Sequence, residues 1–180
     1  MTTKMADPSA SPGFNPPTPS PSPTPSPQPT PQFDPVELAR KINSGYNEYS
    51  QGIPVPALDA VSVMVDAAKN IDFWKHNPYL APGLSIAETS AGRNMTYENN
   101  LINYGIRNPK INAIFKEVGL QEALKRSMLE IGSTGNVYKR FRTGKPLTDA
   151  ELQDFAKTYE PTNDNYYNII KSQMDTFARQ

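Results

Sequence analysis

The chain has 180 residues, with 18 basic side chains balanced by 18 acidic ones and no cysteine. That length allows one ordinary domain and a tail, and the charge balance argues against a broad basic surface for nucleic acid. Without thiols there is no disulfide framework, thiolate metal site or Cys nucleophile. No apolar run approaches the roughly 20 residues of a membrane-spanning helix. Met1 to Asp7 lacks the apolar region of a secretory signal, so no signal peptide is visible.

Twelve of the 19 prolines precede Val36, and from Thr18 to Pro31 they occupy every second position between Ser, Thr and Gln. Such a segment has few backbone donors and little apolar mass, so residues 1–32 are expected to be a disordered, extended spacer. From Phe33 the composition turns globular, and residues 33–180 are expected to form one domain. Asp34-Pro35 supplies an N-cap and a first-turn proline, after which Val36, Ala39, Ile42, Tyr46 and Tyr49 repeat at helical spacing. A second stripe runs through Leu58, Val61, Val65 and Ala68, and a third through Leu80, Leu84 and Ala87, with Pro82 tolerable only in the first turn.

The segment from Gly92 to Arg107 interrupts the periodicity. It is rich in Asn and predicts a polar loop or β-like segment where ligand contacts can sit. Helical spacing resumes with Ile111, Ile114, Phe115 and Val118, then with Leu120, Ala123, Leu124, Met128 and Ile131. Thr148 and Glu151 form a capping box before Leu152 and Phe155, and Tyr166, Ile169, Ile170, Met174 and Phe177 close the chain. The fold is predicted to be mostly α, with Leu84, Leu124, Phe155 and Ile170 sharing one core. Phe73 and Trp74 read mainly as core, with a cleft-edge stacking role as the alternative.

Glu88 is the candidate for chemistry. It follows Leu84, Ile86 and Ala87, so its helix sets it beside apolar neighbours, near a C-terminus whose dipole disfavours a carboxylate. Both effects raise its proton affinity, as a general acid for a glycosidic oxygen requires. His76 is the only histidine, which leaves no histidine metal cluster and makes a catalytic triad implausible.

Val65-Asp-Ala-Ala-Lys, followed by Asn77-Pro-Tyr-Leu-Ala-Pro-Gly-Leu-Ser-Ile-Ala-Glu88-Thr-Ser-Ala-Gly, resembles the signature of the lysozyme-like lytic transglycosylases. Asn99-Asn-Leu-Ile-Asn-Tyr-Gly-Ile106 and Tyr159-Glu-Pro-Thr-Asn-Asp-Asn-Tyr166-Tyr resemble later segments of the related autolysin-type N-acetylglucosaminidases. The likeness runs from about Leu58 to Phe177 in the family's order. Thr89 stands where Ser is commoner, and the loop over residues 93–99 is short.

The resemblance implies a lysozyme-like helical domain that cleaves a β-1,4 bond of peptidoglycan without cofactor or metal, and Glu88 as its acid. It places Thr89 and Tyr159 in the sugar cleft. Asn100, Asn103 and Tyr104 would contact sugar or orient the loop. The implied partner is the peptidoglycan glycan strand, met by a monomer in the cell envelope or outside the cell. Glu98, Glu160 and Asp164 are the other acidic residues in these segments, and none has a placement that makes it an obligate partner. A lone Glu favours a transglycosylase over a two-carboxylate hydrolase. Hydrolysis on the same fold, and a non-catalytic virion or envelope glycan-binding protein, are the alternatives.

Overall fold

The computed structural model describes residues 33–105 and 108–180, and the spacer expected over residues 1–32 lies outside them. The described chain is mostly helical, with no strand among the described residues. The segment after Gly92 is therefore a series of turns and not a β-like element.

Local signals start the helices where the sequence places them. Asp34 Oδ1 accepts from the backbone N–H of Val36 at 2.9 Å and of Glu37 at 3.2 Å, opening α1 (Pro35–Ser50). A 3₁₀ turn (Pro56–Ala60) leads into α2 (Val61–Asn70), followed by the short α3 (Asp72–His76) and then α4 (Leu80–Thr89). Pro82 does fall in the first turn of α4, where its missing N–H costs no intrahelical bond. Asn108 caps α5 (Pro109–Val118), and Gly119 separates it from α6 (Leu120–Leu129). A π turn (Glu130–Thr134) and a 3₁₀ turn (Lys139–Phe141) connect α6 to α7 (Asp149–Tyr159), and α8 (Tyr166–Ala178) ends the fold. Both halves of the Thr148–Glu151 capping box are formed at the start of α7.

α4 is the central element. Every residue from Leu80 to Ile86 is buried, so it is enclosed all round and does not show the single apolar stripe expected of it. α8 lies directly against it. A Cβ on Gly83 would sit 3.0 Å from Met174 Cγ and 3.3 Å from the Met174 backbone N, so glycine permits the close crossing. α1 packs on the same pair: a Cβ on Gly45 would meet the Phe177 ring at 2.3 Å, and Tyr46 and Ser85 share a buried hydroxyl–hydroxyl hydrogen bond of 2.7 Å.

Leu84, Leu124, Phe155 and Ile170 are all buried in one core. Phe73 and Trp74 belong to it too, with Trp74 Nε1 donating to the Met128 carbonyl at 2.8 Å. Two stripe positions are corrected. Val36 is 77% exposed, because the buried seam of α1 runs through Leu38, Ile42, Gly45 and Tyr46. Ile114 is 42% exposed, and Phe115 alone of α5 is buried. Among the described residues no helix is long and apolar enough to cross a membrane.

Candidate active site

α4 delivers Glu88 in its last turn, and the chain then leaves the helix abruptly. Ser90, Ala91 and Gly92 take φ values of 53°, 58° and 91° in succession. The Ser90 N–H bonds the Ile86 carbonyl at 3.0 Å and the Ala91 N–H bonds the Ser85 carbonyl at 2.9 Å, which satisfies the end of the helix. Gly92 is required twice over: its φ suits glycine, and a Cβ there would lie 2.8 Å from Pro56 Cβ.

Thr89 fastens this exit. Its hydroxyl shares its proton between the carbonyls of Ser85 and Leu101, each at 2.8 Å, and accepts from the Gly92 N–H at 2.9 Å. The side chain is fully buried, so the sugar contact expected of Thr89 is corrected to a structural role: its hydroxyl ties α4 to the Asn-rich loop. Ser would supply the same hydroxyl. Asn100 is corrected in the same sense. It is buried and donates to the Tyr104 carbonyl at 2.9 Å, so of its two expected roles it holds the loop.

The loop's asparagines have a backbone reason for being there. Asn99 and Asn103 adopt φ values of 65° and 51°, a region that Asn tolerates better than most residues. In that conformation Asn103 turns back on the end of α4. Its Nδ2 donates to the Glu88 backbone carbonyl at 3.2 Å and to Glu88 Oε2 at 3.0 Å. Its Oδ1 is buried with no hydrogen-bond partner among the described residues.

The second hand on Glu88 comes from α8. The Tyr166 hydroxyl donates to Glu88 Oε1, and the ring stacks on Tyr159 with centroids 6.2 Å apart and planes 12° from parallel. Tyr159 stacks in turn on Phe155 at 5.7 Å, so a row of rings carries the rigidity of the core to the carboxylate. The Tyr159 hydroxyl donates to the Ile102 carbonyl, which commits its proton to the loop and leaves its oxygen as an acceptor. Burial holds both phenols well above their ordinary range, so they stay protonated donors.

Beside Glu88 lies a cleft of about 310 Å³. Glu88, Asn103, Tyr104 and Tyr159 line it, joined by Tyr138, Val137 and Glu160. Burial raises the proton affinity of Glu88, the hydrogen bonds from Tyr166 and Asn103 lower it, and the nearby Glu160 raises it again. Burial prevails, so a half-buried carboxyl is held above the usual carboxylate range. Such a group can give up a proton inside the cleft and take one back.

Of the expected site residues, the fold brings Glu88, Asn103, Tyr104 and Tyr159 together. Tyr166 is the residue that sequence reasoning missed: it reads as an apolar stripe position on α8, although it is half of the motif that begins at Tyr159. Among the other acids Glu160 lines the cleft, while Glu98 and Asp164 are exposed and do not line it. His76 stands 3.5 Å from Asp72 and is not part of the cleft wall. No protein family, curated protein or solved structure matches this chain.

Proposed function

We propose that this cleft cleaves the glycan strand of bacterial peptidoglycan at a β-1,4 bond, as a lytic transglycosylase of lysozyme-like fold with Glu88 as its general acid and base. The observation that carries the reading is the setting of Glu88. It is a carboxyl whose proton affinity is raised by burial, aimed by two donors from separate elements, in the lining of a cleft.

In the first half of the reaction Glu88 gives its proton to the glycosidic oxygen as the C1–O bond breaks, and the released sugar leaves as an alcohol. Tyr166 and Asn103 stabilise the carboxylate that develops. In the second half the muramyl 6-hydroxyl attacks C1, and its proton passes to Glu88. Atoms balance without a second protein carboxylate, and the product is a 1,6-anhydro sugar. The expected location, in the cell envelope or outside the cell, follows from this substrate.

One observation favours hydrolysis as a second reading: Glu160 lines the same cleft, and a second carboxylate is what an activated water would need. Digestion of purified sacculi followed by mass spectrometry separates the two. Transglycosylation yields sugars lighter by one water than the hydrolytic products. Glu88→Gln should abolish release while Glu160→Gln retains it. Equal loss in both variants would favour hydrolysis, and strand binding without release by the unaltered protein would refute cleavage.

A further inference from the structure

The lining of the cleft is rich in acceptors and poor in positive charge. It carries two carboxyls, Glu88 and Glu160, close enough for the charge of Glu160 to act on Glu88, and no Lys, Arg or His among the described residues. Neither carboxyl belongs to an ion pair among the described residues. Two guanidiniums approach the wall, and both are spent. Arg140 touches Thr158 but is paired with Asp154 at 2.9 Å, and Arg142, near Tyr104, donates to backbone carbonyls of the turn from Glu130 to Gly135.

Side-chain donors are also few. Asn103 Nδ2 donates to Glu88, the Thr158 hydroxyl to the Asp154 carbonyl and the Tyr159 hydroxyl to the Ile102 carbonyl, which leaves the hydroxyls of Tyr104 and Tyr138. Glu160 accepts from Thr162 through Oε1, while its Oε2 has no donor among the described residues. Three tyrosine rings complete the lining. Tyr138 lies 6.5 Å from Tyr104 and 6.2 Å from Tyr159, with planes turned by 48° and 44°, so the rings form a curved wall. Aromatic faces are negative and attract cations.

An N-acetyl group brings an acceptor carbonyl and a neutral N–H to such a lining. A free amine brings an ammonium, a cation made only of donors, which suits an unpaired carboxylate and a ring face together. On the reading that the cleft takes a glycan strand, we propose that it selects strands whose hexosamines carry free amines, with one ammonium held by Glu160 against the rings of Tyr104 and Tyr138.

Isothermal titration of the full chain in mildly acidic buffer, where the sugar amine is protonated, compares a glucosamine oligosaccharide with its N-acetylated counterpart of equal length. The amine form should bind about tenfold tighter or more, the size of a hydrogen bond to a charged group joined to a cation–π contact. Glu160→Gln and Tyr104→Leu should each bring that ratio towards one, while Tyr104→Phe, which keeps the ring, should preserve it. Asp164→Asn removes the same charge at an exposed site outside the lining and should leave the ratio as it was. In NMR titration the amine form should shift the methyl signals of Val137 and Thr158, both on the cleft, saturably.

Equal or tighter binding of the acetylated form overturns the amine inference and leaves the cleavage reading standing. A preference that survives both Glu160→Gln and Tyr104→Leu also overturns it, as does one that Asp164→Asn abolishes equally, or binding of neither form. If sacculi are not digested while the amine form still binds through Glu160 and Tyr104, the cleavage reading fails and the ammonium site remains.

Discussion

Tyr166→Phe is the sharpest probe of how Glu88 is held. The tyrosine is 3% exposed, and its ring is fixed by the stack on Tyr159, so phenylalanine fits the same space and removes only the hydroxyl. What is lost is a donor to a carboxylate, worth about 1.5–3 kcal/mol for a hydrogen bond to a charged group. Asn103 remains as the other donor. The loss falls where Glu88 bears negative charge, which is after it has given up its proton, and therefore on the transition state and not on substrate binding. At about 1.4 kcal/mol per factor of ten, kcat should fall roughly ten- to hundredfold with KM little changed. The pH profile supplies an independent sign. The Tyr166 hydrogen bond favours the ionised form of Glu88, so its removal should move the alkaline limb of the profile to higher pH. Steady-state kinetics on soluble glycan strands across pH would measure both. An unchanged kcat, or a limb displaced to lower pH, would refute the proposed role of Tyr166.

Leu84→Ala should cost about 2–5 kcal/mol of unfolding free energy in urea titration, since it opens a cavity in a helix enclosed on all sides. Gly92→Ala should lower stability by about 1–3 kcal/mol, through its positive φ and the clash with Pro56, and calorimetry would read this as a lower Tm. Glu88 retains in the native state a proton that the unfolded chain releases above the ordinary carboxylate range, so wild-type stability should fall as pH rises from there through the raised native value. Glu88→Gln lacks that titration, and its Tm relative to wild type should climb across the same window; a difference independent of pH would contradict the assigned burial. Arg142→Ala should lower Tm by several degrees, because the guanidinium donates to the carbonyls of Glu130, Ile131, Ser133 and Gly135 and so holds the turn that precedes Val137 and Tyr138.

Much of the helical layout was legible because its signals are local. A capping Asp before a proline, or Thr with Glu three residues on, reports on its own few residues and needs no tertiary context. The stripes were legible less well, because periodicity locates a face only if the helix has one solvent side. α4 has none: α8 closes over Gly83, and Ala81, Pro82 and Ser85 are buried along with the leucines. α1 shows the opposite error. The stripe counted from Val36 is right at Ile42 and Tyr46, but its first position is exposed, and the buried seam starts at Leu38.

The site divides along the same line. Glu88 could be found from one segment, because its apolar neighbours and its place at a helix end are both written within ten residues. The roles of its neighbours depend on which way each side chain turns, and sequence spacing does not encode that. Thr89 and Asn100 flank Glu88 and Asn103 in sequence yet face inward to the carbonyls of Leu101 and Tyr104. Asn103 faces Glu88 only because a left-handed backbone reverses the chain there. Tyr166 lies 78 positions from the carboxyl it serves, and its spacing on α8 is that of an ordinary core residue. The signal that could have found it is its polar tip. A tyrosine on a buried stripe must place its hydroxyl against an acceptor, and the half-buried carboxylate of Glu88 is a strong one.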